Sequence, residues 1–339
     1  MAEAPVPVMM SPLVGGGGML NEKAVLQRAG KDAISDFLRH KTMYDVMRSS
    51  GKVVVFDTNI PIQLAFYALL EHDLPSAPLW DSASRQFVGL MSMTDFIDVL
   101  RHYHRRGIPM EELSARTISE VMSDTEGGRP LQHSVFLGTV VTTDILTAVN
   151  SLVANKHRFL PVIPPGDTRV LSILSYHDVL RFLVDHFREQ RKLFDDSVCE
   201  LGIGTYGAAC LTAKASARLV DVLDLLERAD VSAIPVVDDA GRVLDVYSRA
   251  DITFLAAATD AESVISNLDL TLAQVLEQRS PETVDAKDRL YTCSVRASLQ
   301  NIFELFAETS FRRVVAVDEA DGRCMGVITA RDLITYFCH

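Results

Sequence analysis

The sequence predicts an α+β protein built from four copies of one β-α-β-β-α unit. Three observations support this prediction: a Ser/Thr-x-x-Asp motif occurs four times, a short apolar strand precedes each motif, and an amphipathic helix lies at the same place further upstream in each copy. The aspartates of successive motifs are 83, 73 and 81 residues apart. Self-similarity at a regular spacing indicates a fold made of similar supersecondary units.

Each motif lies at a predicted junction between a strand and a helix. The motifs run from Ser92 to Asp95, from Ser175 to Asp178, from Ser248 to Asp251 and from Thr329 to Asp332. The strands before them read FVGLM, VLSIL, RVLDVY and CMGVI, and a turn-forming segment separates each from an earlier strand, APLW, LPVI, IPVV or VVAV. Two short apolar strands joined by turn residues predict a hairpin.

The helix upstream of each hairpin carries an apolar stripe at i, i+3, i+4 and i+7, which is typical of an amphipathic helix. The stripes begin at Ile62, Ile145, Leu219 and Leu299. A further β-rich stretch precedes each helix: KVVVFD, GTVVTT, AACLTA and YTCSV. Because a unit of roughly 60 residues has little core of its own, we expect the units to pair and to bury their apolar faces against each other.

The charged stretch FREQRKLFDDSVCE, residues 187–200, marks the predicted boundary between two pairs of units. We expect a flexible N-terminal tail at 1–34, a first pair at 35–187 and a second pair at 188–339. The four units fall at about 39–104, 117–187, 200–260 and 275–339. The N-terminal residues lack the basic start and continuous apolar stretch of a signal peptide.

The composition excludes several classes of protein. A net charge of −12 opposes broad nucleic-acid binding, because phosphate contacts require a basic face. No run of about 18 apolar residues predicts a membrane span, so neither nucleic acid nor membrane is an expected partner. The five cysteines are odd in number and form no C-x-x-C pair, which favours a reducing, intracellular setting. We expect the protein in the cytoplasm, with the nucleus as a second compartment.

The recurring motif has two physical interpretations. A Ser or Thr followed three residues later by an acid forms a capping box that satisfies unpaired N–H groups at the start of a helix. Alternatively, the helix N-terminus favours a phosphate, and the aspartate accepts hydrogen bonds from the vicinal hydroxyls of a ribose. Small residues nearby leave room for an adenine ring. The motif alone leaves both interpretations open.

Longer stretches of the chain resemble a known family. The repeats resemble CBS motifs, and four of them in two tandem Bateman modules resemble the γ regulatory subunit of AMP-activated (SNF1-type) protein kinases. The matching stretches are YDVMRSSGKVVVFDTNIPI, SAPLWDSASRQFVGLMSMTDFIDVL, LGIGTYGAA, VSAIPVVDDAGRVLDVYSRADI and VVAVDEADGRCMGVITARDLI. This resemblance implies a disc-like assembly, kinase α and β subunits as partners, and AMP, ADP, ATP or Mg-ATP as ligands.

The resemblance also implies roles for individual residues. In that family the aspartate at the start of the helix binds ribose, and basic residues of other repeats bind phosphate near the centre. The ribose candidates are Asp95, Asp178, Asp251 and Asp332. The candidates for phosphate and other contacts are Ser92, Thr94, Arg158, His177, Thr205, Ser248, Arg249, Arg279, Arg312, Arg313 and Thr329.

The sequence departs from the animal members of this family at several of these positions. Pro75 stands where those members carry an arginine before the APLW strand, so we expect weaker phosphate binding at one site. In the second repeat, His177 and Asp178 replace a Lys-Arg pair. Animal members lack the ribose-binding acid in this repeat, so we expect Asp178 to make its site available to a nucleotide. The family's His-Arg pairs read Arg158-Phe159 and Arg312-Arg313 here.

No catalytic function is predicted. The chain contains no P-loop, H-E-x-x-H or G-x-S-x-G motif, and neither catalytic residues, nor a metal, nor a catalytic cofactor are expected. The favoured function is a non-catalytic subunit that senses adenine nucleotides for a heterotrimeric serine/threonine kinase. The alternative is a CBS scaffold that assembles the kinase without sensing. A regulatory insert of a channel or metabolic enzyme is disfavoured, because the repeats fill nearly the whole chain.

Overall fold

The computed structural model describes residues 17–47, 53–72, 74, 76–124, 136–155, 157–167, 169–187, 195–248, 251, 269–278, 289–309 and 311–338. Helix α1, Gly17–Arg39, opens this part of the chain. The sequence predicted a flexible tail to residue 34, and this helix corrects that prediction for residues 17–34. Ile34 and Leu38 are fully buried in an apolar core, which explains why the helix forms despite a weak local pattern.

Repeat 1 contains the predicted unit. It consists of β1 (Phe56–Asp57), α3 (Ile62–Glu71), β2 (Ser76–Asp81), β3 (Gln86–Ser92) and α4 (Met93–Arg105). Strand β1 pairs parallel with β2, and β2 pairs antiparallel with β3. The short helix α2 (Met43–Val46) precedes this repeat, and α5 (Met110–Ala115) and α6 (Ile118–Ser123) follow it.

The other three repeats have the same strand order and the same pairing directions. Repeat 2 contains β4 (Thr139–Val140), α7 (Ile145–Ala154), β5 (Phe159–Ile163), β6 (Ser172–Ser175) and α8 (Tyr176–His186). Repeat 3 contains β8 (Ala213–Lys214), α9 (Leu219–Arg228), β9 (Ala233–Val237) and β10 (Val243–Ser248). Its second helix was predicted to follow Ser248, and of that stretch only Asp251 is described.

Repeat 4 contains β11 (Thr292–Ser294), α11 (Leu299–Thr309), β12 (Arg313–Val317), β13 (Cys324–Thr329) and α12 (Ala330–Cys338). Ahead of repeat 3, β7 (Thr205–Tyr206) is followed by a turn of 3₁₀ helix, Gly207–Ala209, and α10 (Leu272–Glu277) precedes repeat 4. Strand β7 joins the sheet of repeat 4 beside β13. The four-repeat α+β fold predicted from the sequence is confirmed.

A segment ahead of each repeat packs on the neighbouring repeat of the same half. Met43 N donates to Thr143 O of repeat 2 at 2.9 Å, and Ile118 N of α6 donates to Ile60 O of repeat 1 at 3.1 Å. In the second half, Val198 N donates to Ala297 O ahead of α11 in repeat 4, and Leu272 N of α10 donates to Ala217 O of repeat 3. Repeats 1 and 2 therefore exchange segments, and repeats 3 and 4 do the same, in agreement with the predicted tandem modules.

The apolar helix faces follow a different pairing. One apolar cluster joins residues of repeat 1 with residues of repeat 3, and the other joins repeats 2 and 4 together with α1. In the second cluster, α8 of repeat 2 packs on α11 and α12 of repeat 4. We expected the apolar faces to be buried within each pair, and this expectation was wrong, since the helix faces of one module pack against helices of the other module. The helices instead join one module to the other.

Candidate functional site: four strand-to-helix junctions

In each Ser/Thr-x-x-Asp motif the aspartate accepts a hydrogen bond from the backbone N–H of the first motif residue. In repeat 1 the backbone N–H and the hydroxyl of Ser92 donate to Asp95 Oδ2 at 2.7 and 2.5 Å. The corresponding distances are 2.9 and 2.6 Å in repeat 2, and 2.8 and 2.7 Å in repeat 4. In repeat 3 the Ser248 N–H donates to Asp251 Oδ2 at 2.6 Å. All four aspartates therefore accept the backbone N–H of the motif Ser or Thr, as the capping interpretation requires.

Capping leaves one oxygen of the carboxylate able to accept a hydrogen bond from another group. A carboxylate has two oxygens and roughly four lone-pair positions, and each of the contacts just described uses Oδ2. Oδ1 of Asp95 and Oδ1 of Asp332 take no part in them. One oxygen can cap the helix while the other accepts a hydrogen bond from a hydroxyl. The capping and ribose-binding interpretations are therefore compatible.

The hydroxyl of each motif lies on the sheet face that points away from the helical core. In repeat 2, Leu160 and Leu174 are cross-strand partners buried in the core. Because side chains alternate along a strand, the next pair, Phe159 and Ser175, points to the opposite face. The same register holds for the other three pairs: Ser76 with Ser92, Ala233 with Ser248, and Arg313 with Thr329. Four equivalent positions thus face away from the helices.

In repeat 1 this face carries a buried hydroxyl that the sequence analysis missed. Ser76 is 2% exposed, lies opposite Ser92, and its Oγ has no hydrogen-bond partner in the described part of the chain. A buried hydroxyl without a partner costs about 1–3 kcal/mol, so a ligand that supplied one would be favoured. The signal that could have identified Ser76 is the pairing of the hairpin strands, because Ser76 is the cross-strand partner of the motif residue Ser92.

In repeat 3 the junction is more deeply buried. Ser248 and Asp251 are 1% and 7% exposed, and Ser248 Oγ has no hydrogen-bond partner among the described residues. Arg158, just before β5 of repeat 2, reaches this repeat, since its Nη2 lies 3.5 Å from Asp230 Oδ1. Asp230 lies in the turn before β9 and was not predicted. The loops that precede the second strands of repeats 2 and 3 are therefore neighbours.

Repeat 4 gathers the largest number of predicted residues. Arg313 lies opposite Thr329, and the exposed Thr205 of β7 pairs with Val327, two residues before Thr329. Cross-strand partners and residues two apart share a face, so Thr205, Arg313 and Thr329 point the same way. Arg313 is only 5% exposed. This face combines a cation with two hydroxyls.

The carboxylate of Asp332 completes this site in repeat 4. Burial raises the pKa of Asp332, and the hydrogen bonds from Thr329 lower it less than burial raises it. Desolvation of this kind penalises the charged form of an acid. Hydrogen-bond donors from a ligand would therefore stabilise the ionised carboxylate and would bind more tightly than to an exposed one.

Two glycines allow β7 to approach β13 closely. A Cβ at Gly326 would lie 2.7 Å from Thr205 O, and a Cβ at Gly204 would lie 2.8 Å from Val327 O. Gly204 also has a φ of +110°, which L side chains rarely adopt. Gly204 of the GIGTYG stretch and Gly326 of β13 therefore have a packing role that sequence analysis did not assign, and they allow Thr205 to lie beside repeat 4.

The remaining predicted residues have simpler surroundings or lie outside the description. His177 is half-buried in the first turn of α8 beside Asp178, and Arg312 is exposed next to Arg313. The side chain of Thr94, all of Arg249 and Arg279, and also Pro75, lie outside the described residues.

Within the described ranges, no group of three or more His, Cys, Asp or Glu side chains is arranged to hold a metal ion. None of the helices in that part of the chain combines the length and apolar character needed to cross a membrane.

Comparisons with known proteins agree with this architecture. The CBS domain family matches residues 139–185, 209–257 and 284–339, which fall in repeats 2, 3 and 4. Repeat 1 shares their sheet topology. A crystal structure of a Methanocaldococcus jannaschii protein, described as a proposed archaeal homologue of g-AMPK, has a TM-score of 0.70 at 17% identity and covers 88% of this chain and 100% of that one. The fold is therefore that of CBS-domain proteins.

Sequence relatives extend this result over most of the chain. The 5′-AMP-activated protein kinase subunit gamma of Dictyostelium discoideum is 31% identical over 91% of this chain and 53% of its own length. Subunit gamma-3 of Bos taurus is 31% identical over 91% of this chain and 60% of its own length, and that of Sus scrofa is 30% identical over 98% and 62%. The chain thus spans a little over half the length of these relatives. Three stretches of the chain thus match the CBS domain family, and most of the chain is similar in sequence to γ subunits of 5′-AMP-activated protein kinase.

Proposed function

We propose that this chain is a non-catalytic regulatory subunit of a heterotrimeric serine/threonine kinase, and that it binds AMP, ADP and ATP at the junctions described above. The observation that carries the proposal is the repetition, in all four repeats, of a hydroxyl at the end of a strand and a carboxylate three residues later. The sequence relatives are named as gamma subunits of 5′-AMP-activated protein kinase, which supports membership of a kinase complex. The partners we propose are a catalytic α subunit and a scaffolding β subunit. We place the complex in the cytoplasm, with the nucleus as a second compartment.

The chemistry of the junctions fits a nucleotide. A hydrogen bond from a ribose hydroxyl to a carboxylate contributes about 1.5–3 kcal/mol, and an arginine can hold a phosphate by two parallel hydrogen bonds. Together such contacts support a Kd in the micromolar range, about −8 kcal/mol. The site in repeat 4 offers Asp332, Thr329, Thr205 and Arg313 for these contacts.

Regulation follows from a difference in affinity between two states. A ligand shifts a conformational equilibrium only when it binds one state more tightly than the other. The ligands differ in phosphate number, so the arginines near the loops of repeats 2 and 4 are the residues that would distinguish them. Mg²⁺ bound to ATP would mask phosphate charge from these arginines.

Isothermal titration calorimetry of the full chain with AMP, ADP and ATP tests the proposal. Asp251→Ala should weaken binding at its site about tenfold or more, because one charged hydrogen bond is worth at least 1.4 kcal/mol. Asp144→Ala is a matched control, since Asp144 caps α7 by accepting from Thr147 N at 2.8 Å and does not belong to a strand-to-helix motif. This variant should lose stability and retain nucleotide affinity.

The scaffold function predicts a different result. If the wild-type chain shows no heat of binding with any of the three nucleotides at millimolar concentration, while it still co-purifies with kinase subunits, the nucleotide proposal is refuted. Equal loss of binding in Asp251→Ala and Asp144→Ala would also refute it, because a general loss of stability would then explain both.

A further inference from the structure

Two cysteines that lie far apart in the sequence meet beside repeat 4. Sγ of Cys210 and Sγ of Cys324 are 3.9 Å apart, although 114 residues separate them in the chain. Both thiols are free and half-buried. Cys210 directly follows the 3₁₀ turn Gly207–Ala209, and Cys324 is the first residue of β13.

The backbone on both sides of this pair is held in place. Tyr206 of β7 pairs with Gly326 of β13, and the turn that follows brings Cys210 back toward the start of β13. Cys210 N donates to Gly207 O, and Cys324 N donates to Gly241 O in the hairpin turn of repeat 3, each at 3.0 Å. Cys324 therefore lies where three segments meet: β13, the turn after β7 and the turn between β9 and β10.

The two thiols are near neighbours. A disulfide needs the sulfurs at about 2.0 Å, and rotation of either side chain about χ1 changes the distance between the two sulfurs. The hydrogen bond with Cys324 lowers the pKa of Cys210, which favours the thiolate that attacks an oxidant. Burial raises the pKa of Cys293 and of Cys338 to about 11, so these thiols stay protonated near neutral pH.

We propose that Cys210 and Cys324 are a redox-sensitive pair that forms an intramolecular disulfide in the presence of a peroxide and so fastens β7 to repeat 4. In the first step the Cys210 thiolate attacks one peroxide oxygen, the S–O bond forms, the O–O bond breaks, and the leaving hydroxide takes a proton to become water. In the second step the Cys324 thiol attacks the sulfenic sulfur, the S–S bond forms, and the S–O bond breaks with release of a second water. The two thiols supply the two electrons that reduce the peroxide.

The disulfide would constrain a strand that now depends on two residues of pairing. Strand β7 is held to β13 only through Thr205 and Tyr206 in the described register. A covalent link at Cys210, four residues beyond Tyr206, would keep this strand and the turn after it against repeat 4. The inference rests on the positions of the thiols and stands whether or not a nucleotide binds.

The test uses the full chain, reduced and then treated with hydrogen peroxide at a small molar excess, alkylated, and digested with trypsin without reduction. We expect a disulfide-linked pair of peptides, residues 193–214 with residues 324–331, and a fall in alkylated thiols from five to three. Peptide 193–214 also contains Cys199, so Cys199→Ser is the matched control and should keep the link. Cys210→Ser and Cys324→Ser should each abolish it, and circular dichroism verifies that each variant folds.

Three results would overturn the proposed disulfide. Five alkylated thiols after peroxide treatment would overturn it, as would a linked peptide that persists in Cys210→Ser and disappears in Cys199→Ser. Cys210 oxidised to sulfinic acid without any linked peptide would also overturn it, because the second thiol would then have failed to intercept the sulfenic acid.

Discussion

Replacement of Arg101 tests how the two modules are joined. Arg101 lies on α4 of repeat 1, its side chain is 2% exposed, and its Nη2 donates to Asp224 and, at 2.7 Å, to Glu227 on α9 of repeat 3. Arg105, also on α4, donates to the same two acids but is 49% exposed. Two arginines thus share two acids, one arginine buried and the other in solvent.

The difference in burial fixes the expected magnitudes. Removing one partner of a buried ion pair typically costs about 3–5 kcal/mol. Because Arg105 remains beside Asp224 in the variant, we expect Arg101→Met to lower the free energy of unfolding by about 2–3 kcal/mol, which is below that range. Arg105→Met, the matched control, should cost about 1 kcal/mol or less, as exposed pairs do.

Urea unfolding of both variants at neutral and acid pH measures these costs. Burial raises the pKa of Asp224, but the hydrogen bonds and charges of Arg101 and Arg105 together lower it by more than burial raises it, so the net shift is downward. An acid with a lowered pKa in the folded state contributes stability above its unfolded pKa, and this contribution is lost as pH falls through the folded pKa. The penalty of Arg101→Met should therefore shrink below about pH 4. Equal penalties for the two variants at pH 7, or a penalty for Arg101→Met below about 0.5 kcal/mol, would refute the reasoning.

Two further changes test the site in repeat 4. Burial raises the pKa of Asp332, so the folded state favours the protonated acid, and the stability this provides is present below the unfolded pKa and lost as pH rises through the folded one. Wild type should therefore gain stability relative to Asp332→Asn between pH 7 and about pH 4 in urea unfolding, and a constant difference would contradict this. Gly326→Ala should release β7, because its Cβ would meet Thr205 O and the Tyr206 ring, at a cost of about 1–3 kcal/mol. Amide hydrogen exchange at Tyr206 should then become faster, and unchanged protection would show that β13 accommodates the methyl group.

The sequence predicts the secondary structure of each repeat well because local patterns determine it. The stripe that begins at Ile62 and the stripe that begins at Ile145 are buried as expected. The motif hydroxyls and acids also lie at the strand-to-helix junctions. These features depend on residues close together in the chain, so periodicity and turn chemistry are sufficient to find them.

The sequence does not reveal which distant segments meet. The pattern of α1 gives no indication that Ile34 and Leu38 pack in the core with repeats 2 and 4. Likewise, the contacts of Arg101 with α9 and of Arg158 with Asp230 join residues more than 70 positions apart. Ser76 was missed for a related reason, since its importance comes from pairing with Ser92 rather than from its own neighbours.

Neighbouring repeats exchange segments, so the unit that recurs in the sequence is not the unit that can fold. A fragment cut at the ends of one repeat would lack Ile118 and Val121 of α6, which fill its apolar cluster, or Met43 and Val198, which fill the other. Such a gap is a cavity of the kind that costs several kcal/mol in a core. A duplication of the repeat therefore yields a stable protein only when each new copy is paired with a second copy, and each copy supplies the segment that the other lacks. An even number of copies is the expected outcome.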